Sequence, residues 1–369
     1  MLHIGIDVHQ KSSVFNVFDP HKGREGGTHR SQKVETTAEG FRKVLEPLAG
    51  RCEVVYEVGP MAQWVAALVR PYAAKLTVAN PSQIPWLFRA GRKNDRIDAK
   101  KLSILSYLGQ VPKVHLPPPE VSDWRGLINE RRQLVSKRTR AKIQIRALLH
   151  TQALHCPHKS VWTRCGMIWL KALKLKEILK GRITRLLDEL DFMVGQIAAL
   201  EKQLNERAEQ QPAVALLRTI PGIGPRSAEA LVAYTDDVKR FSNRKQFGSY
   251  FGLTPTEDSS GERVRRGRIS KRGPSVVRWV LVEAARCAIR CCPAFRDFAE
   301  RVARGRKDRR KKAVVATARK LTAIAFGMLR TGEVFDITRL APPPTKPVKK
   351  PAKKLETKSE MNLEPKPAA

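Results

Sequence analysis

The sequence predicts an α/β domain at the N-terminus, a long helical middle with coiled-coil periodicity, and a mainly α C-terminal domain. Three observations carry that prediction. Short apolar runs rich in β-branched residues alternate with helical spacing through the first part of the chain. Apolar residues from Leu179 to Leu204 then recur at steps of four and three without a miss. Helical segments bounded by Gly and Pro fill the stretch after residue 211. With 369 residues and 42% hydrophobic content, the chain has ample material for more than one core.

Residues 2–8 (LHIGIDV) and the following SSVFNVFD have strand character, and His21 to Gly27 is a turn or loop. Thr36 to Leu48 has helical spacing. Cys52 to Tyr56 is a buried-strand pattern that runs into Glu57-Val58-Gly59-Pro60. A helix over Ala62–Val69 and a strand over Leu76–Ala79 continue the alternation. Asn80-Pro81-Ser82 opens a further helix, and residues 96–108 form another. This α/β domain spans 1–112 and ends before the Pro117-Pro118-Pro119 run.

Residues 120–210 read as helical throughout. Leu179, Ile183, Leu186, Leu190, Met193, Ile197, Leu200 and Leu204 follow a 3.5-residue repeat, the mark of a coiled coil. Such a helix either dimerises the protein or folds back on the helix at 124–150, and the sequence leaves both open. A compact helical domain covers 212–335. The Pro/Lys-rich segment 341–369 has almost no apolar content and is expected to be disordered, adding affinity for polyanions.

Charge restricts the function. Lys and Arg number 70 against 35 Asp and Glu, a net +35, and the excess is smallest in the N-terminal domain and largest beyond residue 211. A protein this basic repels itself unless a polyanion neutralises it, and nucleic acid gains affinity through counterion release. A membrane role is excluded: the longest uncharged apolar stretch, Val58–Val69, is too short to span a bilayer. The N-terminus has no signal-peptide pattern, and the six cysteines are scattered without a CxxC pair, as expected of a reduced, cytoplasmic protein. His155, Cys156, His158 and Cys165 match no common zinc-finger spacing.

Four acids stand out. Asp7 and Glu57 each end an apolar strand, and Asp95 and Asp98 are three apart, on one helical face. Strand ends of an open α/β sheet face a common crevice. Converging carboxylates there would call for cations, and two Mg²⁺ ions suit an all-oxygen set. Arg89, Arg92, Lys93, Arg96 and Lys100 surround the Asp pair, as expected where phosphates approach; an ion-pair-laced surface helix is the alternative.

In the C-terminal domain, Ile220-Pro221-Gly222-Ile223-Gly224-Pro225 precedes a helix at Ser227–Tyr234. A Gly-x-Gly turn between helices offers backbone N–H groups to a DNA phosphate, the helix-hairpin-helix pattern, in which Gly222 and Gly224 would bind; an ordinary interhelical turn is the alternative. Ser259-Ser260-Gly261 leads into Arg263, Arg265, Arg266, Arg268, Lys271 and Arg272, a set of cations able to cradle phosphate.

The order GIDVH, then YEVG, then NPSQ, then KNDRIDA closely resembles the DEDD transposases of insertion sequence 110 type, the Piv/MooV recombinase family. The resemblance runs to about residue 335, and KNDRIDA is its most specific part. It implies a RuvC-like (RNase H-like) N-terminal domain in which Asp7, Glu57, Asp95 and Asp98 form the metal-binding tetrad. It also implies a nucleophilic serine in the C-terminal region, placed at Ser259 by its offset from Gly252-Leu253, with Ser260 the neighbouring alternative. The implied activity is site-specific DNA recombination on donor and target DNA, guided by a structured non-coding RNA and performed by a dimer or tetramer. Two alternatives keep part of this reading. A RuvC-type junction endonuclease needs the tetrad without the serine, and a non-enzymatic nucleic-acid-binding protein needs neither.

Overall fold

The computed structural model describes residues 1–23, 27–80, 83, 94–260 and 265–340, with the backbone alone for Arg266, Arg339 and Leu340. The helix expected after Asn80, and Arg89, Arg92, Lys93, Gly261, Arg263 and the 341–369 segment, lie outside the described residues. The chain divides into two compact units that meet between Glu130 and Arg131. The first holds a mixed α/β sheet and the second is largely helical.

The first unit contains β1 (Leu2–Val8), β2 (Ser12–Asp19), β3 (Thr28–Glu35), β4 (Cys52–Glu57) and β5 (Lys75–Ala79) in the order β3-β2-β1-β4-β5. β1 pairs antiparallel with β2, and β2 with β3, while β4 lies parallel to both β1 and β5. Helices α1 (Ala38–Leu45) and α2 (Ala62–Val69) make the connections. The expected helix over 36–48 divides into α1, capped by the Thr37 hydroxyl on the Gly40 N–H, and a short turn through Leu48. β3 is a strand that the sequence reading did not foresee. Its residues are nearly all exposed, so it lacks the continuous buried run that marks β1 and β2.

The two-residue period of the strands sorts the sheet faces. Ile4, Ile6, Val54 and Tyr56 join Phe41, Leu45, Val65 and Val69 in one buried core, under α1 and α2. On the other face, Val55 packs with Leu102 and Leu105 of α3 (Asp95–Tyr107). Gly5 lies beneath α3: a Cβ there would sit 2.0 Å from the Ala99 carbonyl oxygen and 2.6 Å from the Ser103 nitrogen. Only a residue without a side chain lets the helix approach so closely. Polar contacts fix its seat. The Ser103 hydroxyl donates to Asn16 Oδ1 at 2.8 Å, and His3 Nδ1 meets Ser106 Oγ at 3.1 Å.

Helix α4 (Pro119–His150) crosses from the first unit into the second. Helical character then stops over 151–163, where Ala153 takes a left-handed φ of 54°, and resumes in α5 (Arg164–Ala172) and α6 (Glu177–Glu209). Six of the eight repeat positions on α6, Ile183, Leu190, Met193, Ile197, Leu200 and Leu204, are buried, and Leu179 and Leu186 are half-buried. Ile183, Leu190 and Met193 share a core with Ala141, Ile145 and Leu149 of α4. Arg131, early in α4, pairs with Glu201, late in α6, through Nε at 2.7 Å. Between the two alternatives left open by the sequence, these contacts within the second unit belong to an antiparallel hairpin.

The rest of the second unit comprises α7 (Pro212–Arg218), α8 (Pro225–Thr235), α9 (Arg244–Tyr250), a hairpin of β6 (Pro255–Glu257) and β7 (Arg266–Ile269), α10 (Ser275–Cys291), α11 (Pro293–Ala303) and α12 (Arg310–Thr331). Phe247 is fully buried and meets Phe251 and Phe326 with ring centroids 5.0 and 5.3 Å away. Among the described residues, no helix is long and apolar enough to cross a membrane.

Candidate metal and nucleic-acid site

Asp7 follows Gly5 by two residues, and Glu57 follows Val55 by two. Strand alternation therefore turns both acids toward the face covered by α3. β1 and β4 are parallel with Ile6 opposite Tyr56, so the next residues along are Asp7 and Glu57, on neighbouring strands at the same sheet end. Asp95 and Asp98 occupy the first turn of α3, which begins where the Asn94 side chain accepts the Arg96 N–H at 3.0 Å. The positive end of the helix dipole favours carboxylates there. The fit of α3 over Gly5 brings that turn to the strand ends.

Asp7, His9 and Asp95 present ligand atoms that all lie within 4.8 Å of one another. His9 Nε2 is 3.2 Å from Asp7 Oδ2 and 3.6 Å from Asp95 Oδ1. Burial raises the Asp7 pKa above its ordinary value, His9 opposes the rise, and the charges of Asp95 and Asp98 add to it. Asp98 is buried at 7% exposure and pairs with Lys101 at 3.7 Å. A half-buried carboxylate destabilised by two others is the condition a divalent cation relieves. The donor set fits such an ion: oxygens predominate, with one imidazole beside them. His9 went unremarked in the sequence. Its signal is its spacing, two residues beyond Asp7 in extended chain. Arg96 is exposed on the same turn of α3.

In the second unit, the β6–β7 hairpin carries the serines. Asp258 N–H donates to the Arg265 carbonyl at 2.9 Å across its neck. Ser259 is exposed, and its hydroxyl donates to Glu257 Oε1 at 3.2 Å. Ser260 is exposed beside it. Arg265 just before β7, Arg268 on it, and Lys271 and Arg272 in the turn after it are exposed. That turn is braced: Arg278 Nη1 donates to the Phe251 and Arg272 carbonyls at 3.2 and 3.3 Å.

Gly222 and Gly224 differ in their surroundings. Gly222 has φ 88°, and a Cβ there would lie 2.5 Å from Ala284 O and Ala288 N of α10. Its lack of a side chain therefore serves helix packing. Gly224 has open space around it and N-caps α8 without a side-chain bond. Pro225 follows at the first helical position, removing one of the N–H groups that the helix start would otherwise present.

A buried charge cluster lies behind this turn. Glu229 of α8 is 1% exposed, and Arg226 Nη2 approaches its Oε1 at 2.9 Å. The approach lacks hydrogen-bond alignment, and neither carboxylate oxygen has a hydrogen-bond partner. Burial pushes the Glu229 pKa up to about 7, against the attraction of Arg226 and Arg131. Arg226 also donates to Asn205 of α6.

Residues 4–152 match a family described as a transposase, the DEDD transposases of IS110 type. Residues 214–300 match the transposase IS116/IS110/IS902 family. A probable family 20 transposase of Pseudomonas aeruginosa is 28% identical over 327 residues, 85% of this chain and 92% of that protein. The transposase for insertion sequence element IS1328 of Yersinia enterocolitica is 28% identical over 345 residues, 90% of this chain and 98% of that protein. The pilin gene-inverting protein of Moraxella bovis is 31% identical over 150 residues, 40% of this chain and 44% of that protein.

Proposed function

The chain belongs to the IS110 family of DNA transposases, and from that premise we propose that it recombines donor and target DNA through a metal-bound acidic site and a serine nucleophile. The first unit is the RuvC-like part of this account. The observation that carries the reading is the placement of Asp7, Glu57, Asp95 and Asp98 on one sheet face and one helix turn, with Asp7 and Asp95 in reach of a shared ligand.

Asp7, Glu57, Asp95 and Asp98 would hold one or two divalent ions, Mg²⁺ the fitting one for carboxylate oxygens. Bound there, such ions neutralise the carboxylates and polarise a scissile phosphate. The chain's own residues do the rest. Arg96 in the first turn of α3, and Lys93 three residues before it in sequence, offset phosphate charge. Arg263, Arg265, Arg266, Arg268, Lys271 and Arg272 bind strand backbone around the serine hairpin, and the Gly222–Gly224 turn takes a further phosphate. The Ser259 Oγ attacks phosphorus and displaces a deoxyribose oxygen, forming a phosphoserine link to DNA, and Glu257, the hydroxyl's hydrogen-bond acceptor, is placed to take the proton. Ser260 is the neighbouring alternative. A hydroxyl of the partner strand then attacks that phosphorus, which releases the serine and joins the strands.

Copies of the chain assemble as a dimer or tetramer, through surfaces other than the α4–α6 seam, which is filled within one chain. A structured non-coding RNA encoded beside the gene selects donor and target. The test is recombination between donor and target plasmids supplied with the flanking RNA. Wild-type recombination that survives Asp7→Ala or Ser259→Ala ends this mechanism. Hydrolytic nicking of a four-way junction without a protein–DNA adduct would favour the junction-endonuclease reading instead.

A further inference from the structure

Within the second unit, α10, α11 and α12 enclose a cleft of about 590 Å³ that the proposed mechanism does not use. Its volume falls within the roughly 300–1,000 Å³ usual for small-ligand sites. The floor is aliphatic: Ile289, Ala299, Ala313 and Val314. The rim carries three guanidiniums, Arg296, Arg306 and Arg310, against one carboxylate, Glu300.

Two of the rim arginines are held in place. Arg296 Nη2 donates to the Arg290 carbonyl at 2.9 Å at the end of α10. Arg306 forks onto Asp308 at 3.1 and 2.9 Å. The chain turns between α11 and α12 through two successive left-handed residues, Arg304 and Gly305, at φ 53° and 69°. This turn delivers Arg306 to the rim. The segment from Arg301 to Lys312 holds a single acid, Asp308, among eight cations. Arg310, Lys311 and Lys312 fill the first turn of a 22-residue helix that has no acid there and no side-chain cap. Cations at that end of a helix oppose its dipole, and a bound anion relieves them.

An aliphatic floor beneath guanidiniums fits a ligand that is anionic at one end and flat and apolar at the other. The outside of a duplex offers phosphate and sugar but no such face, whereas an unstacked nucleotide offers both. We propose that this cleft seats one unpaired nucleotide of a single-stranded segment, its phosphate on Arg306 and Arg310 and its base on the aliphatic floor. The inference rests on the nucleic-acid reading above and adds to it a strand-separated substrate and the site that holds it.

The test uses the full-length protein, with anisotropy titrations of labelled oligodeoxythymidylate, oligouridylate and a duplex, each about ten units long. Salt of about 0.2 M suppresses nonspecific phosphate binding. Ala303→Trp adds bulk at a position that lines the cleft and removes no charge. It is expected to weaken single-strand binding about tenfold and to leave duplex binding within about twofold. Weakening of the deoxy strand alone assigns the site to DNA, of the ribo strand alone to RNA, and of both to the shared nucleotide chemistry. Arg310→Gln, at an exposed position, is expected to weaken single-strand binding and to reduce the salt slope by about one.

Unchanged single-strand affinity in a normally melting Ala303→Trp protein overturns the proposal, as does equal loss on duplex. If Ala303→Trp melts early, Arg310→Gln decides, and an unchanged affinity and salt slope there overturn it. Plasmid recombination by Asp7→Asn, measured beside these titrations, keeps the two readings apart. Loss of plasmid recombination in Asp7→Asn with unchanged binding in Ala303→Trp defeats the cleft alone; recombination surviving in Asp7→Asn with the expected Ala303→Trp loss defeats the tetrad alone.

Discussion

Replacing Glu229 by Gln should stabilise the protein above neutral pH. Glu229 is buried beside Arg226, with Arg131 and Arg218 also acting on it, and its pKa stands at about 7 against an ordinary 4.5. Folded protein therefore holds this proton through a range where the unfolded chain has released it. Stability falls as pH rises between those two values and is level above them, because ionising the folded group means charging a buried carboxyl. The full difference is at most about 3 kcal/mol. Gln is neutral throughout, so the variant should match the wild type near pH 4.5 and exceed it at pH 8. At about 2–4 °C per kcal/mol for a unit of this size, the gain at pH 8 reaches at most about 6–12 °C in Tm. Thermal melts of both proteins across pH 4.5–8 measure it. A Glu229→Gln protein that melts below the wild type at pH 8 would refute the reasoning, since the ion pair with Arg226 would then outweigh the cost of burial.

Three further outcomes follow from packing. Gly5→Val must push α3 off the sheet, because the new atoms would overlap the Ala99 carbonyl; a loss of about 3 kcal/mol or more in urea unfolding is expected, together with loss of recombination. Gly222→Ala meets both a left-handed φ and α10 at 2.5 Å, so it should cost stability rather than DNA affinity alone; a variant with wild-type melting and weakened DNA binding would reverse that assignment. Ile145 is fully buried between α4 and α6, and Ile145→Ala should cost about 2–5 kcal/mol in urea unfolding if the hairpin packs as described.

The elements that bury one face were legible in the sequence. Helix Ala62–Val69 has the bounds that its apolar run predicts, and the repeat from Leu179 to Leu204 forms the buried side of α6. β3 was not legible because an exposed edge strand carries polar residues on both faces. β6 and β7 are three and four residues long, too short for any period to show. The antiparallel fold-back of α6 on α4 depends on partners some 70 positions apart, such as Arg131 and Glu201, which periodicity does not pair. At the candidate site, the strand end pointed to Asp7 and the helix start to Asp95, and these two meet with His9, ligand atoms within 4.8 Å; Glu57 and Asp98 are not part of that group among the described residues. His9 and Glu229 escaped notice because a lone imidazole after a strand, or one acid in an apolar helix, has no pattern. Their chemistry comes from neighbours brought by the fold. Gly5 shows the same limit: GIDV reads as a strand, but only the seated helix explains the glycine.

The central claim is that Asp7, Glu57, Asp95 and Asp98 hold divalent metal together. Mn²⁺ titration followed by electron paramagnetic resonance tests it most directly, without depending on DNA, RNA or turnover. The wild type should bind one or two ions, and Asp7→Asn and Asp98→Asn should each weaken that binding at least about tenfold. Equal Mn²⁺ affinity in the wild type and both variants would contradict the account.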